Sequence, residues 1–146
     1  RFVEVAVGSW DTHARNFDGH KRLMTDLDQP YAALLEDLSK SGMLSETLVL
    51  LMSEFGRTPR INQAQGRDHW TRNWCACLAG GGIGGGRLVG RTDKQGMGIE
   101  DRPVSVGDLF ATIYSALGVN LEKEYTTAGG RPMKLLPEGV PVKELF

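Results

Sequence analysis

Apolar and polar positions along this chain fall into a small number of separate patterns, each with its own structural reading. Phe2-Val3-Glu4-Val5-Ala6-Val7 is rich in β-branched and aromatic residues and reads as a strand ending at Gly8-Ser9. Leu23, Leu27, Tyr31, Leu34, Leu35 and Leu38 recur at spacings of three and four, which predicts an amphipathic helix. Pro30 interrupts that stripe and predicts a kink, or two helices with the proline in the first turn of the second. Gly42 is the expected stop. Thr47-Leu48-Val49-Leu50-Leu51-Met52 is a continuous apolar run, the pattern of a strand buried on both faces of a parallel sheet.

A long polar loop from Ser53 to about Arg72 follows, and Trp74 to Ala79 reads as a third strand. Gly80 to Gly86 turns the chain, and Arg87-Leu88-Val89-Gly90 predicts a short edge strand. Ser105 caps a further helix that turns Leu109, Ile113 and Leu117 inward and stops at Gly118. Pro132, Pro137 and Pro141 predict a surface-wrapping tail with a short strand. Strand, helix, strand, long loop, strand, helix outlines an α/β sandwich. The chain begins at Arg1, directly in strand pattern, so its 146 residues are expected to be an incomplete domain.

Composition narrows the field. An apolar content of 40% supports a core, and no apolar run reaches the ~18–20 residues of a spanning helix. A net charge of −1 and a pI near 6.3 supply no global field for nucleic acid or an anionic membrane. Cys75 and Cys77 lie two apart, on one face of a strand and poorly placed to bridge, and are expected to be small buried hydrophobes.

The chemistry-bearing residues gather in three loops that follow strand ends, where open α/β sheets place ligands. They are Asp11-Thr12-His13, Ser53-Glu54-Phe55-Gly56-Arg57-Thr58-Pro59 and Gly66-Arg67-Asp68-His69-Trp70. Two of the three histidines stand there, each near a carboxylate. An imidazole with a carboxylate suits a zinc-like ion, the carboxylate binding directly or orienting the ring. Asp11, His13 and His69 are therefore candidate ligands of one divalent ion, with Asp68 as the outer partner of a histidine. Arg57 and Arg67 carry guanidinium forks that match sulfate or phosphate oxygens. His20 is expected on the surface, and Trp10, Trp70 and Trp74 are expected to shield the polar cluster. Gly80, Gly82 and Gly85 satisfy G-x-G-x-x-G, but no helical pattern follows to hold a pyrophosphate, so no nucleotide site is expected.

Glu46 to Gly56 resembles a strand and loop of sulfatases and alkaline-phosphatase-like enzymes, which usually ends Ser-Asp-His-Gly. Trp74 to Gly86 resembles their strand and glycine-rich turn, and Val104 to Gly118 resembles one of their helices. The signatures Gly8-Ser9-Trp10-Asp11-Thr12-His13, Glu54-Phe55-Gly56-Arg57-Thr58-Pro59 and Gly66-Arg67-Asp68-His69-Trp70 resemble more closely those of a bacterial branch, domain-of-unknown-function family 1501.

The resemblance implies the C-terminal part of an alkaline-phosphatase-like α/β/α sandwich, its N-terminal half being the missing partner. It implies a metal-dependent hydrolase of phosphate or sulfate esters, acting on a small-molecule or glycan substrate and exported from the cell. Carried over by position, Asp11, His13 and His69 bind one metal, and Glu54 stands where a second metal's aspartate stands. Asp11 and His13 are two apart where the superfamily uses four, and Phe55 occupies a ligand histidine's position and cannot coordinate. Glu54 and Arg57 are the catalytic candidates, as ligand or base and as anion clamp. The alternative reading is a non-catalytic relative that binds sulfated or phosphorylated glycans.

Overall fold

The structure is a computed structural model that describes residues 1–146. It is mixed α and β, with two α-helices and four small two-stranded antiparallel sheets. Helix α1 spans Asn16–Lys40 and α2 spans Val106–Ala116. The strands are β1 (Val49–Met52), β2 (Gly56–Arg57), β3 (His69–Trp70), β4 (Ala76–Ala79), β5 (Arg91–Thr92), β6 (Ile99–Asp101), β7 (Glu124–Thr126) and β8 (Pro132–Lys134). They pair as β1 with β4, β2 with β3, β5 with β6 and β7 with β8.

Helix α1 forms where the leucine stripe predicts it and runs unbroken through Pro30. The proline removes one backbone N–H and crowds the carbonyl four residues back. Pro30 lies on an exposed face, where water can take up the freed carbonyl, so the helix continues instead of dividing. Its end is as expected: the Ser41 N–H bonds back to the Asp37 carbonyl and the Gly42 N–H to that of Ser39, and Gly42 takes φ 74°, the left-handed turn that stops a helix. Helix α2 opens with a reciprocal cap. The Asp108 N–H donates to Ser105 Oγ, and the Ser105 N–H donates to the Asp108 carboxylate.

The strand expectations were met only in part. The apolar run is strand β1, but its partner β4 lies antiparallel, with Val49 opposite Ala79 and Met52 opposite Ala76. Nor is β1 buried on both faces: Val49, Leu50 and Leu51 are half-buried and Met52 is exposed. A continuous apolar run leaves both the covering layers and the strand direction open. The connection of more than twenty residues can return the chain either way. Phe2–Val7 forms no strand and pairs with nothing, and Phe2, Val3 and Val5 are more than three-quarters exposed. Strand propensity cannot form a strand without a neighbouring edge to supply the ladder. The edge strand expected at 87–90 lies slightly later, at Arg91–Thr92, and the tail contains the β7–β8 hairpin. Gly80 to Gly86 leads into no helix, as its sequence implied.

Burial is concentrated beneath α2. Leu109, Ala111 and Thr112 are buried, and the tail crosses them at Val142, whose N–H donates to Thr112 Oγ1 at 2.9 Å. In α1 only Asn16 and Leu23 are buried, and Leu34 and Met24 stay open to solvent. The accessible surface is 10808 Å². A compact domain of 16.0 kDa exposes roughly 7,400 Å² by the usual scaling of surface with mass. Much apolar surface is therefore uncovered. It includes Cys75 and Cys77, which are exposed free thiols and not the buried hydrophobes expected.

Candidate metal centre

The site is built where three separated segments are tied together by backbone. Strands β2 and β3 pair so that Arg57 stands opposite His69, which sets the two side chains side by side on one face. The loop before α1 is laced to the loop before β3. The Arg15 N–H bonds to the Ala64 carbonyl, the Asn16 N–H to that of Gln65, and the Arg67 N–H to that of Thr12. Gly66 sits at the crossing, and a Cβ there would stand 1.9 Å from the His13 carbonyl oxygen. Only glycine lets the two loops approach so closely. Ser9, Arg15 and Gln65 flank this junction with positive φ, a conformation uncommon for residues with side chains and concentrated at functional loops.

This lacing brings Asp11, His13 and His69 together across 58 positions of sequence, with one ligand-type atom from each inside 4.8 Å. Asp11 Oδ1 lies 3.0 Å from His13 Nε2 and 3.0 Å from His69 Nε2, and the two imidazole nitrogens are 3.2 Å apart. A tetrahedral ion with bonds of about 2.0–2.1 Å needs its donors about 3.3–3.4 Å apart, so the triangle fits one small divalent ion after a shift of a few tenths of an ångström. The side chains of all three are about half exposed, which leaves an open side for water or substrate.

Asp68 stands behind the triangle. The His13 Nδ1–H donates to Asp68 Oδ1 at 2.9 Å, which fixes the tautomer and turns the Nε2 lone pair toward Asp11 and His69. The hydrogen bond from His13 and a second from Asn62 hold the Asp68 carboxyl below its usual range. Asp11 is drawn down to about 2, first by the hydrogen bond from His69 and then by that from Arg57. It therefore stays an anionic donor at any physiological pH.

The other expected residues divide. Arg57 Nη1 donates to Asp11 Oδ1 at 2.6 Å, and Nη2 lies 3.5 Å from Glu54 Oε1. Glu54 is exposed and reaches Arg57, and it is not among the three converging donors. Arg67 faces away: its Nη1 donates to the Thr58 and Pro59 carbonyls, so it braces the loop and clamps no anion. Phe55 packs its ring on His69, centroids 4.7 Å apart. The indole N–H of Trp70 donates to the Met97 carbonyl, and Trp10 meets the His20 ring edge-on.

Two supporting residues escaped the reading of the sequence. Asn62 donates to the His13 carbonyl and to Asp68, and accepts from the Ala64 and Gly66 N–H groups. An asparagine opening a polar loop is a turn former, and that was the available signal. His20 is half-buried and not a free surface residue. Its Nε2–H donates to Thr12 Oγ1 at 3.1 Å, and the Thr12 hydroxyl donates onward to Asn16 Oδ1 at 2.7 Å. Thr12 stands between Asp11 and His13, so this chain of bonds supports both candidate ligands from below.

A family described as "Protein of unknown function (DUF1501)" matches residues 1–146. The chain belongs to that family. No curated protein matches it, and neither does any solved structure. Across this DUF1501 chain no helix is long and apolar enough to cross a membrane.

Proposed function

We propose that this DUF1501 protein is a metal-dependent hydrolase of phosphate or sulfate esters, related to the alkaline-phosphatase and sulfatase-like enzymes. The observation that carries this reading is the three-donor triangle of Asp11, His13 and His69, backed by Asp68 and open on one side. Two imidazoles and a carboxylate form a donor set suited to zinc, and the open position is what separates a catalytic site from a closed structural one. A divalent ion there would supply a polarising charge for an ester oxygen and for bound water.

The chain's own residues have definable parts in this scheme. Asp11 and the two histidines hold the ion, and Asp68 fixes the ring of His13. Arg57 has five N–H donors, and its two carboxylate partners leave several to receive an anionic oxygen of the ester. Glu54, exposed and next to Arg57, can take or return a proton at the rim. The attacking nucleophile is assigned to no residue of this chain. The alkaline-phosphatase-like sandwich, an origin outside the cytoplasm, and a small-molecule or glycan ester as substrate belong to the same proposal. They rest on the resemblance of Glu46 to Gly56, Trp74 to Gly86 and Val104 to Gly118 to those enzymes, and of the three loop signatures to the family.

One observation favours a second reading, a non-catalytic module for sulfated or phosphorylated glycans. Phe55 packs its ring against His69 at a tilt of 54° and gives the site an apolar wall, and a wall of that kind suits a sugar ring. Metal analysis of the full-length protein, paired with assays on aryl phosphate and aryl sulfate esters, separates the two. Hydrolysis and bound zinc that disappear together in His69→Ala support the hydrolase. Zinc retained by His69→Ala refutes the site, and a metal-loaded protein inert toward every ester supports the binding module.

A further inference from the structure

The surroundings of the triangle bear on how many ions the site takes, an inference that rests on the metal-centre reading. Two-ion hydrolytic sites place their ions about 3.5–4 Å apart, and each ion needs donors of its own besides a shared carboxylate. Around Asp11, His13 and His69 each further carboxylate of this chain already has a partner on one of its oxygens. Asp68 is turned to His13 Nδ1 and to Asn62. Phe55 packs against the His69 ring, and a phenyl ring offers no donor atom. The remaining carboxylate nearby is Glu54, and Arg57 stands between it and Asp11, 2.6 Å from Asp11 Oδ1 and 3.5 Å from Glu54 Oε1. A second ion bridging those two carboxylates would have to occupy the ground the guanidinium holds.

Arg57 is also unlike the other charged residues of the site in its burial. Its side chain is 16% exposed, against 57% for Asp11 and 59% for Glu54. Its backbone is anchored in the β2–β3 pair, where Arg57 is the cross-strand partner of His69, and its guanidinium is held by Asp11. A cation that is part of the framework cannot leave when metal arrives, and an arginine cannot shed its proton to make room.

We propose that the site binds a single divalent ion and that the Arg57 guanidinium permanently fills the position of a second cation, sharing Asp11 with that ion. Asp11 then serves two positive partners, one exchangeable and one built in. Arg57 becomes both a positioning residue for Asp11 and a standing competitor for its oxygen. Removing its charge while keeping its bulk strengthens binding of the ion, because a positive charge hydrogen-bonded to the same ligand oxygen no longer repels it. Relief of Coulomb repulsion at such a range in a water-like medium makes the gain on the order of tenfold.

The test is a count and an affinity on the full-length protein. Metal-stripped protein is loaded with excess zinc, passed through gel filtration and analysed for zinc per chain. Zinc affinity is then measured by competition with a chromophoric chelator for the wild type, Arg57→Met and Arg57→Lys. The expected results are one zinc per chain, a dissociation constant about tenfold lower for Arg57→Met, and a value near wild type for Arg57→Lys, which keeps the charge. Two zinc ions per chain overturn the single-ion proposal and leave the metal centre standing. No zinc at all removes the metal centre itself. An unchanged or weaker affinity in a folded Arg57→Met overturns the role given to the guanidinium. Should that variant fail to fold, the wild-type count and Arg57→Lys still decide, since a large change in Arg57→Lys contradicts a role based on charge.

Discussion

Replacing Asp68 separates a residue that binds an ion from one that orients a ligand. In the structure Asp68 makes no approach to the open face of the triangle. It accepts the Nδ1–H of His13 at 2.9 Å and an amide N–H of Asn62 at 3.2 Å. Its contribution to metal binding therefore runs through His13, by holding the tautomer and by making the imidazole a better donor. Removing such a partner typically costs about 10–100-fold in metal affinity. Both side chains are about half exposed, at 48% and 54%, so water screens the pair and can replace the lost acceptor. That places Asp68→Ala near the lower end, about tenfold weaker in zinc affinity. Asp68→Asn keeps an acceptor oxygen for the Nδ1–H and should lose only severalfold. The assay is chelator competition at fixed pH, with far-ultraviolet circular dichroism as a check on folding. Binding by Asp68→Ala within twofold of wild type would show that the hydrogen bond does not tune His13. A loss as complete as that of His69→Ala, with the fold intact, would make Asp68 a direct ligand and refute the orienting role.

Two further outcomes follow from other parts of the chain. His20→Ala removes the donor to Thr12, costing about 1 kcal/mol of stability in urea unfolding and weakening zinc binding severalfold, although His20 is no ligand. His20→Gln, which still donates, should recover most of both, and an unaffected zinc affinity in His20→Ala would detach Thr12 from the site. Glu144 is held down to about 2 from an ordinary 4.5, chiefly by hydrogen bonds from Arg102. A depressed carboxyl stabilises the fold above its unfolded value and loses that contribution as pH falls through its folded one. The melting temperature should therefore decline from pH 4.5 toward 2, and Glu144→Gln should flatten that decline; identical slopes would mean the Arg102–Glu144 pair contributes nothing.

The leucine stripe of α1, the Ser105 cap and Gly118 stop of α2, and the apolar runs of β1 and β4 were all legible. Each depends on which way successive side chains point, and that is a local property. The three loop signatures were legible as well, because Asp-x-His and Asp-His are recognisable as chemistry wherever they fall. Pro30 misled because a penalty measured for an average helix is tolerable on an exposed face.

Tertiary structure decided the rest, for a physical reason common to all of it. A strand needs an edge to pair with, and sequence pattern cannot say whether one is present. Phe2–Val7 has strand composition and no ladder, and β1 has a partner running opposite to the one expected. The two arginines that looked alike differ because one lies across from His69 while the other meets the carbonyls of Thr58 and Pro59. Asn62 and His20 matter only through what they touch. The chain by itself determined which residues were available for a metal centre. Backbone bonds joining loops some fifty residues apart, and a glycine at their crossing, determined that three of them meet.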